Sequence, residues 1–187
     1  MRVIAGAFKR RTLLTPGWEG LRPTSDRLRE TLFDVLGASV AGARVLDGCA
    51  GTGALGLEAL SRGAAHVVFV DRDPRAVGLI RRNVARCDGG RHCTVLQGAL
   101  PPLLRTRRLG PFDLVLLDPP YGAPDIGAIL AAAAGHLAPS GVLVLERARR
   151  DTPPTPPMLE PVRQLRAGDS VLEWFTPRDT GPTEQEP

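Results

Sequence analysis

Four consecutive residues, Asp118, Pro119, Pro120 and Tyr121, combine groups that could bind a planar amine. They follow the apolar run 114–117, and the carboxyl ends of strands in α/β sheets face the ligand crevice. The Asp118 carboxylate and the Pro119 carbonyl can accept the N–H bonds of an aromatic exocyclic amine and so orient its delocalised lone pair. Tyr121 can stack on the base, and the prolines hold the acceptors rigid. We therefore take these four as catalytic candidates, although a proline-rich turn would explain them if they stood alone.

A glycine-rich turn follows the first apolar run and predicts a cofactor loop. Residues 51–56 read Gly-Thr-Gly-Ala-Leu-Gly, so Ala50, Gly51 and Gly53 are candidate contacts. Glycine lets the backbone approach a ligand closely, and the N-terminus of the next helix offers N–H groups. The glycine spacing alone is also compatible with a dinucleotide site or a simple tight turn.

Two acidic residues favour S-adenosylmethionine over a dinucleotide. Asp47, at the end of the first strand, would repel a pyrophosphate but favours an ammonium and a sulfonium. Asp71 ends the second strand about 20 residues after the loop, where an acid accepts the ribose hydroxyls of any adenosine cofactor. Asp71 could instead cap a helix, but Asp73 before Pro74 is the better cap.

Apolar runs alternate with helical segments from residue 43 onward, which predicts an α/β fold with a mostly parallel sheet covered on both faces. The expected strands are 45–46, 67–70, 94–96, 114–117 and 142–145, and the expected helices are 54–62, 74–86, 100–107 and 126–137. Runs 162–165 and 171–175 lie so close together that they predict an antiparallel hairpin at the C-terminal end. A further helix, capped by Thr24 or Ser25, should end at Gly37.

Composition limits the chain to one domain with small appendages. Its 187 residues are 43% hydrophobic, and the net charge of +4 suits a polyanionic partner. The three cysteines have neither disulfide nor zinc spacing, so we expect a reduced, cytoplasmic setting and no metal. We also expect a monomer. We expect no membrane span and no export signal. Residues 24–176 should form the main domain, and the polar tail 177–187 should be disordered.

The chain resembles the RsmD-type bacterial methyltransferases of small-subunit ribosomal RNA. The matching blocks are RVIAG at 2–6, LRPTSDRLRETLF at 21–33, AGTGALGLEALSRG at 50–63 and DPPY at 118–121. The resemblance implies a seven-stranded Rossmann-like sheet, S-adenosylmethionine as donor, methylation of guanine N2 in 16S ribosomal RNA, and action during small-subunit assembly. Such enzymes often carry an acid or amide facing adenine after the third strand. Here Gly98 and Ala99 follow Gln97, so we expect their backbone groups to make that contact.

The resemblance also implies that an N-terminal extension engages RNA. We interpret residues 1–23 as a basic extension outside the core, with a short hairpin formed by 2–5 and 11–14. The candidate RNA contacts are Arg2, Lys9, Arg10, Arg11, Arg22, Arg27 and Arg29. The arginines of helix 74–86 are better explained as a solvated face.

Three alternatives remain open from the residues. The amine acceptor could be adenine N6 or a protein glutamine, whose enzymes use a related tetrapeptide that usually begins with Asn. A nicotinamide-dependent oxidoreductase could use the glycine loop, but then the 118–121 segment has no role and His66, His92 and His136 form no evident catalytic set. A non-catalytic assembly factor could hold RNA without any cofactor pocket.

Overall fold

The computed structural model describes residues 1–18, 25–107, 109–152, 154 and 156–178, and its centre is a seven-stranded sheet. The strands are β1 Arg44–Gly48, β2 His66–Asp71, β3 Cys93–Gln97, β4 Phe112–Leu117, β5 Leu137–Ala148, β6 Leu159–Ala167 and β7 Ser170–Pro177. The helices are α1 Asp26–Leu36, α2 Ala54–Ser61, α3 Pro74–Arg86, α4 Leu100–Thr106 and α5 Ile126–Ala134. Short 3-10 turns cover Gly37–Val40 and Gly90–His92.

The strand order β3-β2-β1-β4-β5-β7-β6 confirms the expected Rossmann-like sheet. Strands β1 to β5 pair in parallel, whereas β7 runs antiparallel between β5 and β6. Because two reversals separate β5 from β6, the β6–β7 turn lies at the edge where β1 to β5 have their carboxyl ends. Gly168 makes this tight turn with φ 62°, a value that favours glycine.

The hairpin strands are longer than their apolar runs predict. β5 covers twelve residues, where the run 142–145 was expected, and β6 begins at Leu159, three residues before the expected run 162–165. Pairing with β7 extends β6 and the carboxyl end of β5, because β7 supplies backbone partners from Leu143 to Ala148 on one side and from Leu159 to Ala167 on the other. The amino end of β5 is extended by the pairing of Leu137 with Phe112 of β4.

Two apolar clusters fill the two faces of the sheet. The first joins α1, α2 and α3 to one face, and it includes Phe33, Phe69 and Trp174. The second joins α4 and α5 to the other face, around Phe112 and Phe175. Strands buried on both faces carry continuous apolar runs, which explains why β1 and β4 were readable from the sequence.

The expectation that the N-terminal segment lies outside the core is wrong. Val3 and Leu13 are 1% and 2% exposed and belong to the first cluster, because the segment packs on α2 and α3. The hairpin reduces to a single antiparallel bridge between Arg2 and Thr12. Gly6, with φ 78°, approaches α2 so closely that a Cβ atom would lie 1.8 Å from the Ser61 carbonyl oxygen.

Other sequence expectations have mixed outcomes. Ser25 caps α1 by accepting a hydrogen bond from the Leu28 amide at 3.2 Å, whereas Thr24 and residues 179–187 lie outside the described residues. Within the described ranges, no helix is long and apolar enough to cross a bilayer. No group of three His, Cys, Asp or Glu residues in those ranges could hold a metal ion.

Candidate active site

One cavity of about 1420 Å³ runs along the carboxyl edge of the sheet. Its cofactor half is lined by the loop after β1, the end of β2 and the loop after β3. Its acceptor half is lined by residues 118–125, Glu146 and the β6–β7 turn at 165–170. The two groups of residues on which the sequence analysis depends therefore share one site.

Hydrogen bonds to Asp71 fix the conformation of the glycine loop beside the cavity. The Gly51 amide donates to the Asp71 Oδ2 at 2.8 Å, and the Asp73 amide donates to Oδ1 at 2.9 Å. An ionised carboxylate has about four lone-pair sites, so Asp71 can hold the loop and still accept ribose hydroxyls. Gly51 has φ 55°, a value that a branched side chain would strain. Asp73 caps α3 through the Arg75 amide, as the sequence predicted.

Gly53 is absent from the cavity wall formed by its neighbours Thr52 and Ala54, so its role as a cofactor contact stays a prediction. It precedes α2 with φ 76°, and a Cβ atom there would meet Ile80 and Phe69 at 3.4 Å. Gly53 therefore shapes the turn and lets α2 pack on the sheet. Gly56 has the same packing role, since a Cβ atom would lie 2.3 Å from the Phe69 ring.

Asp47 is a buried carboxylate in the wall of the cofactor half. It is 1% exposed and accepts a hydrogen bond from the Gly56 amide at 2.8 Å. Burial raises the pKa of Asp47 well above its ordinary value, and the nearby charges of Asp118 and Asp71 raise it further. A cationic ligand would relieve this cost, so the site fits a group with an ammonium and a sulfonium better than one with phosphates.

The contacts proposed for adenine are partly occupied by the fold. Gly98 and Ala99 both line the cavity. The Gly98 amide, however, donates to the Asp71 carbonyl at 2.9 Å, so it is not available to a ligand. The Ala99 carbonyl accepts from the Leu103 amide at 3.1 Å, which leaves the Gly98 carbonyl and the Ala99 amide for that role.

The 118–121 segment forms the junction between the two halves. Asp118 is half-buried, Pro119 is buried and Pro120 is exposed, and all four residues line the cavity. The Tyr121 hydroxyl lies 2.7 Å from Ser170 Oγ, and Ser170 Oγ donates to Glu146 Oε1 at 3.0 Å. Burial raises the pKa of Tyr121, and the charge of Glu146 adds to this shift. Strands β5 and β7 thus fix the orientation of the tyrosine ring.

A second support lies behind the same segment. The Gly122 amide donates to Asp151 at 2.9 Å. The Arg147 guanidinium donates to the Asp151 carbonyl at 2.9 Å and to both carboxylate oxygens of Glu173. Arg147 and Glu173 are both buried, so this pair ties the end of β5, β7 and the 149–151 turn into one frame.

Cys49 lies in the cavity wall but is a poor nucleophile. Burial raises its pKa to about 12, and the charges of Asp71 and Asp118 add to the shift. The thiol therefore stays protonated at neutral pH.

The predicted RNA contacts differ in their exposure and in whether they line the cavity. Arg2, Lys9 and Arg10 are exposed but do not line the cavity, and Arg11 pairs with Asp88 at 2.7 Å on the far end of α3. Arg27 is exposed and lines the cavity. Arg22 lies outside the described residues.

Arg29 is not a surface residue, which contradicts its assignment as an RNA contact. Its side chain is 0% exposed, forms an ion pair with Asp26 at 2.6 Å and donates to the Arg2 carbonyl at 2.7 Å. A guanidinium enclosed in this way cannot reach a phosphate. Arg29 instead fastens α1 to the N-terminal segment.

Sequence reasoning missed Glu146 and Ser170, which orient Tyr121. Glu146 comes immediately after the apolar run 142–145, at the carboxyl end of a parallel strand, and that position alone could have identified it. Ser170 carried no local signal, because it reaches the site only through the antiparallel return of β7.

Comparison with known proteins places the chain among methyltransferases. Residues 1–176 match the family described as conserved hypothetical protein 95. The chain is 36% identical over 159 residues to ribosomal RNA small subunit methyltransferase D of Escherichia coli K12, covering 84% of this chain and 79% of that one. It is 38% identical over 132 residues to Bacillus subtilis YlbH, described as a candidate rRNA methyltransferase, covering 70% of this chain and 72% of that one.

The solved structures agree with this placement. The Escherichia coli protein yhhF, described as a candidate methyltransferase, has a TM-score of 0.83 and 31% identity, covering 95% of this chain and 97% of that one. With the loop, Asp47 and Asp71 arranged as above, S-adenosylmethionine is the methyl donor for this fold. The chain therefore belongs to the RsmD-type family of S-adenosylmethionine-dependent methyltransferases.

Proposed function

We propose that this protein methylates the exocyclic N2 amine of a guanine in small-subunit ribosomal RNA, acting as a cytoplasmic monomer. The observation that supports the proposal best is the single cavity in which the glycine loop and residues 118–121 lie side by side. The relative named ribosomal RNA small subunit methyltransferase D supports the choice of RNA. One chain supplies both halves of the cavity, so the proposed reaction needs no second copy.

Different residues act in the cofactor half and in the acceptor half of the cavity. When bound, S-adenosylmethionine supplies an electrophilic methyl group on its sulfonium. In the cofactor half, Asp47 stabilises positive charge, Asp71 accepts ribose hydroxyls and Ala50 and Gly51 line the loop. These roles leave the reacting end of the cavity to the acceptor half.

In the acceptor half, Asp118 and the Pro119 carbonyl accept hydrogen bonds from the two N–H groups of the amine. This removes its lone pair from conjugation with the ring and aims it at the electrophile. A new N–C bond forms as the S–C bond breaks, and the amine then loses a proton that Asp118 can accept. Tyr121, fixed by Ser170 and Glu146, stacks on the base, and Pro120 keeps the loop rigid.

Exposed basic residues would supply most of the RNA affinity, because a single base in a pocket binds too weakly to select one site. Arg27 is the best placed of the sequence candidates, since it lines the cavity. Arg2, Lys9 and Arg10 contribute a more distant positive field, and Arg11 is weakened as a contact by its pairing with Asp88.

The test is a map of modified nucleotides in small-subunit ribosomal RNA from cells lacking this protein. Loss of one N2-methylguanosine, and its return when purified protein and S-adenosylmethionine are added, is the expected result. Loss of an N6-methyladenosine would replace guanine by adenine as the acceptor. An unchanged map combined with no binding of labelled S-adenosylmethionine would leave only the non-catalytic assembly factor.

A further inference from the structure

The β6–β7 turn forms one wall of the acceptor half, and it carries a basic side chain that the sequence did not single out. Arg166 is exposed and lines the cavity, close to the turn that holds Ser170 against Tyr121. β6 is an edge strand of the sheet, so no strand of the described residues pairs with its outer side. This wall is therefore accessible to a large partner that enters the acceptor half.

The arginines of the cavity differ in whether the fold already uses them. Arg75 forms an ion pair with Asp73 at 2.7 Å and lies over the Trp18 ring. Arg72 follows Asp71 in the cofactor half. Arg27 and Arg166 line the cavity, and neither guanidinium forms an ion pair or hydrogen bond with another residue in the part of the chain that the structure describes. Among the described residues the Arg72 guanidinium has no ion pair or hydrogen bond either, but it belongs to the cofactor half. Arg27 and Arg166 are therefore the unpaired arginines of the cavity that the cofactor-half loops do not carry.

Arg27 and Arg166 belong to opposite faces of the sheet. Leu28, next to Arg27, packs in the first cluster together with Leu165 and Ala167. Successive side chains of a strand point to opposite faces, so Arg166, between Leu165 and Ala167, projects from the other face. Its cross-strand neighbour Val171 lies outside the first cluster, in keeping with that direction. The two arginines therefore reach the opening of the cavity, which we call its mouth, from opposite sides of the sheet.

We infer that Arg27 and Arg166 bind the two phosphates that flank the methylated nucleotide, one on its 5′ side and one on its 3′ side. A base that enters the acceptor half leaves its neighbouring phosphates at the mouth, on either side of the pocket. Guanidinium groups pair with phosphate oxygens through two parallel hydrogen bonds. This inference rests on the proposed function for the identity of the RNA, and it adds the path of the backbone.

The test measures binding of unmodified small-subunit ribosomal RNA at several salt concentrations, without methyl transfer. The double variant Arg27→Ala, Arg166→Ala should weaken binding and reduce the slope of log affinity against log salt by about 0.7 for each lost contact with single-stranded RNA. The matched control Arg82→Ala, Arg105→Ala removes the same charge from exposed positions outside the cavity and should keep the wild-type slope. Affinity for S-adenosylmethionine, from calorimetry, should not change in either variant.

A second measurement places the contacts. Uncharged methylphosphonates at the two positions beside the methylated nucleotide should weaken binding to the wild type but cause no further loss with the double variant. The inference is overturned if the double variant keeps the wild-type salt slope, if the control loses as much affinity, or if the methylphosphonate effect is the same in both proteins. Failure of the proposed function is distinct from these outcomes, because it appears as an unchanged modification map.

Discussion

Asp118 lies where the cofactor half meets the acceptor half, and its electrostatic surroundings suit a group that binds an amine. Together with Asp47 and Asp71 it forms a set of carboxylates around the loop after β1. Such a cluster is costly in the empty cavity and is favourable only when positive charge or N–H donors are present. Ligand binding at these carboxylates therefore depends on hydrogen-bond donors or positive charge that the ligand supplies in place of water.

Replacing Asp118 by Ala should lower the single-turnover methylation rate roughly 10²–10³-fold, because one preorganised partner of the transition state is lost. Cofactor affinity should change much less. Asp113→Asn is the matched control: this residue lies at the opposite end of β4, where it accepts a hydrogen bond from the Arg44 amide at 2.8 Å. Near-normal methylation by the Asp118 variant would reduce this residue to a turn former.

The raised pKa of Asp47 predicts that cofactor binding is linked to proton release. In the empty site burial favours the protonated acid, so stability contributed by this group is lost as pH rises through the raised pKa. A bound cation favours the carboxylate. The affinity for S-adenosylmethionine should therefore increase with pH above the ordinary aspartate range, with protons released.

Calorimetry in buffers of different ionisation enthalpy measures that release. The Asp47→Asn variant keeps an oxygen that can accept from the Gly56 amide, so it should bind more weakly and with no linked proton from this position. An affinity independent of pH in the wild type would mean that Asp47 is already ionised before the cofactor arrives.

Four cavity residues were predictable from residue type and order, because each comes at or just after the end of a readable apolar run: Asp47, Gly51, Asp71 and Asp118. The errors concern burial. Arg29 and Arg27 are neighbours on the same helix turn, and only the packing of α1 decides that one is enclosed and the other exposed. The fit of Gly53 against Ile80 and Phe69 was equally hidden, because it depends on how α2 packs.

At the scale of elements, the contact among the 118–121 loop, β5 and β7 determines the shape of the acceptor half. Each element contributes one hydroxyl or carboxylate: Tyr121, Glu146 and Ser170. The chain has one tyrosine, so the change in ultraviolet absorption on tyrosine ionisation reports on this contact alone.

Tyr121 should titrate above its ordinary range, and two variants should move its pKa in opposite directions. Removing the hydrogen bond in Ser170→Ala should raise the pKa further, whereas removing the charge in Glu146→Gln should lower it. Ser39→Ala, which removes a hydroxyl that donates to the Leu36 carbonyl far from Tyr121 in the chain, serves as control. Ultraviolet difference titration measures all four proteins. Shifts of the same sign in both variants would contradict the arrangement.

The elements themselves were predictable to different degrees. Helix α3 begins and ends where its sequence predicts, since Asp73 and Pro74 define its start and its apolar positions recur at helical spacing. β5 and β6 were underestimated, because their length depends on pairing with β7, and pairing partners distant in sequence leave no local pattern.

On the scale of the whole molecule, the N-terminal segment connects the surface to the cofactor loop. The buried Glu58 carboxylate, 0% exposed, accepts hydrogen bonds from the Ile4 and Ala5 amides at 2.8 and 3.0 Å. Asn83 accepts from the Leu14 amide at 2.8 Å and donates to the Thr52 carbonyl at 2.9 Å. These contacts were invisible in the sequence because they join residues more than thirty positions apart.

Deleting residues 1–15 should therefore destabilise the protein and weaken cofactor binding, rather than remove only an RNA contact. Burial of a side chain such as Val3 or Leu13 contributes about 1.5–3 kcal/mol, and Glu58 would lose two of its donors in a buried site. The melting temperature should fall by roughly 10 °C or more. Because Asn83 would lose Leu14, its hold on the Thr52 carbonyl should loosen and affinity for S-adenosylmethionine should fall as well.

A full-length variant separates charge from packing in this experiment. Replacing Arg2, Lys9 and Arg10 by Ala removes exposed charges but leaves Val3, Leu13 and the backbone amides in place. This variant should have the melting temperature and the cofactor affinity of the wild type. Any loss of RNA affinity in it is then due to the missing charges. Thermal denaturation and calorimetry on the three proteins decide the question. If the truncated chain matched the full-length protein in both measurements, the N-terminal segment would be an appendage after all, since its buried contacts would contribute nothing to the core or the loop.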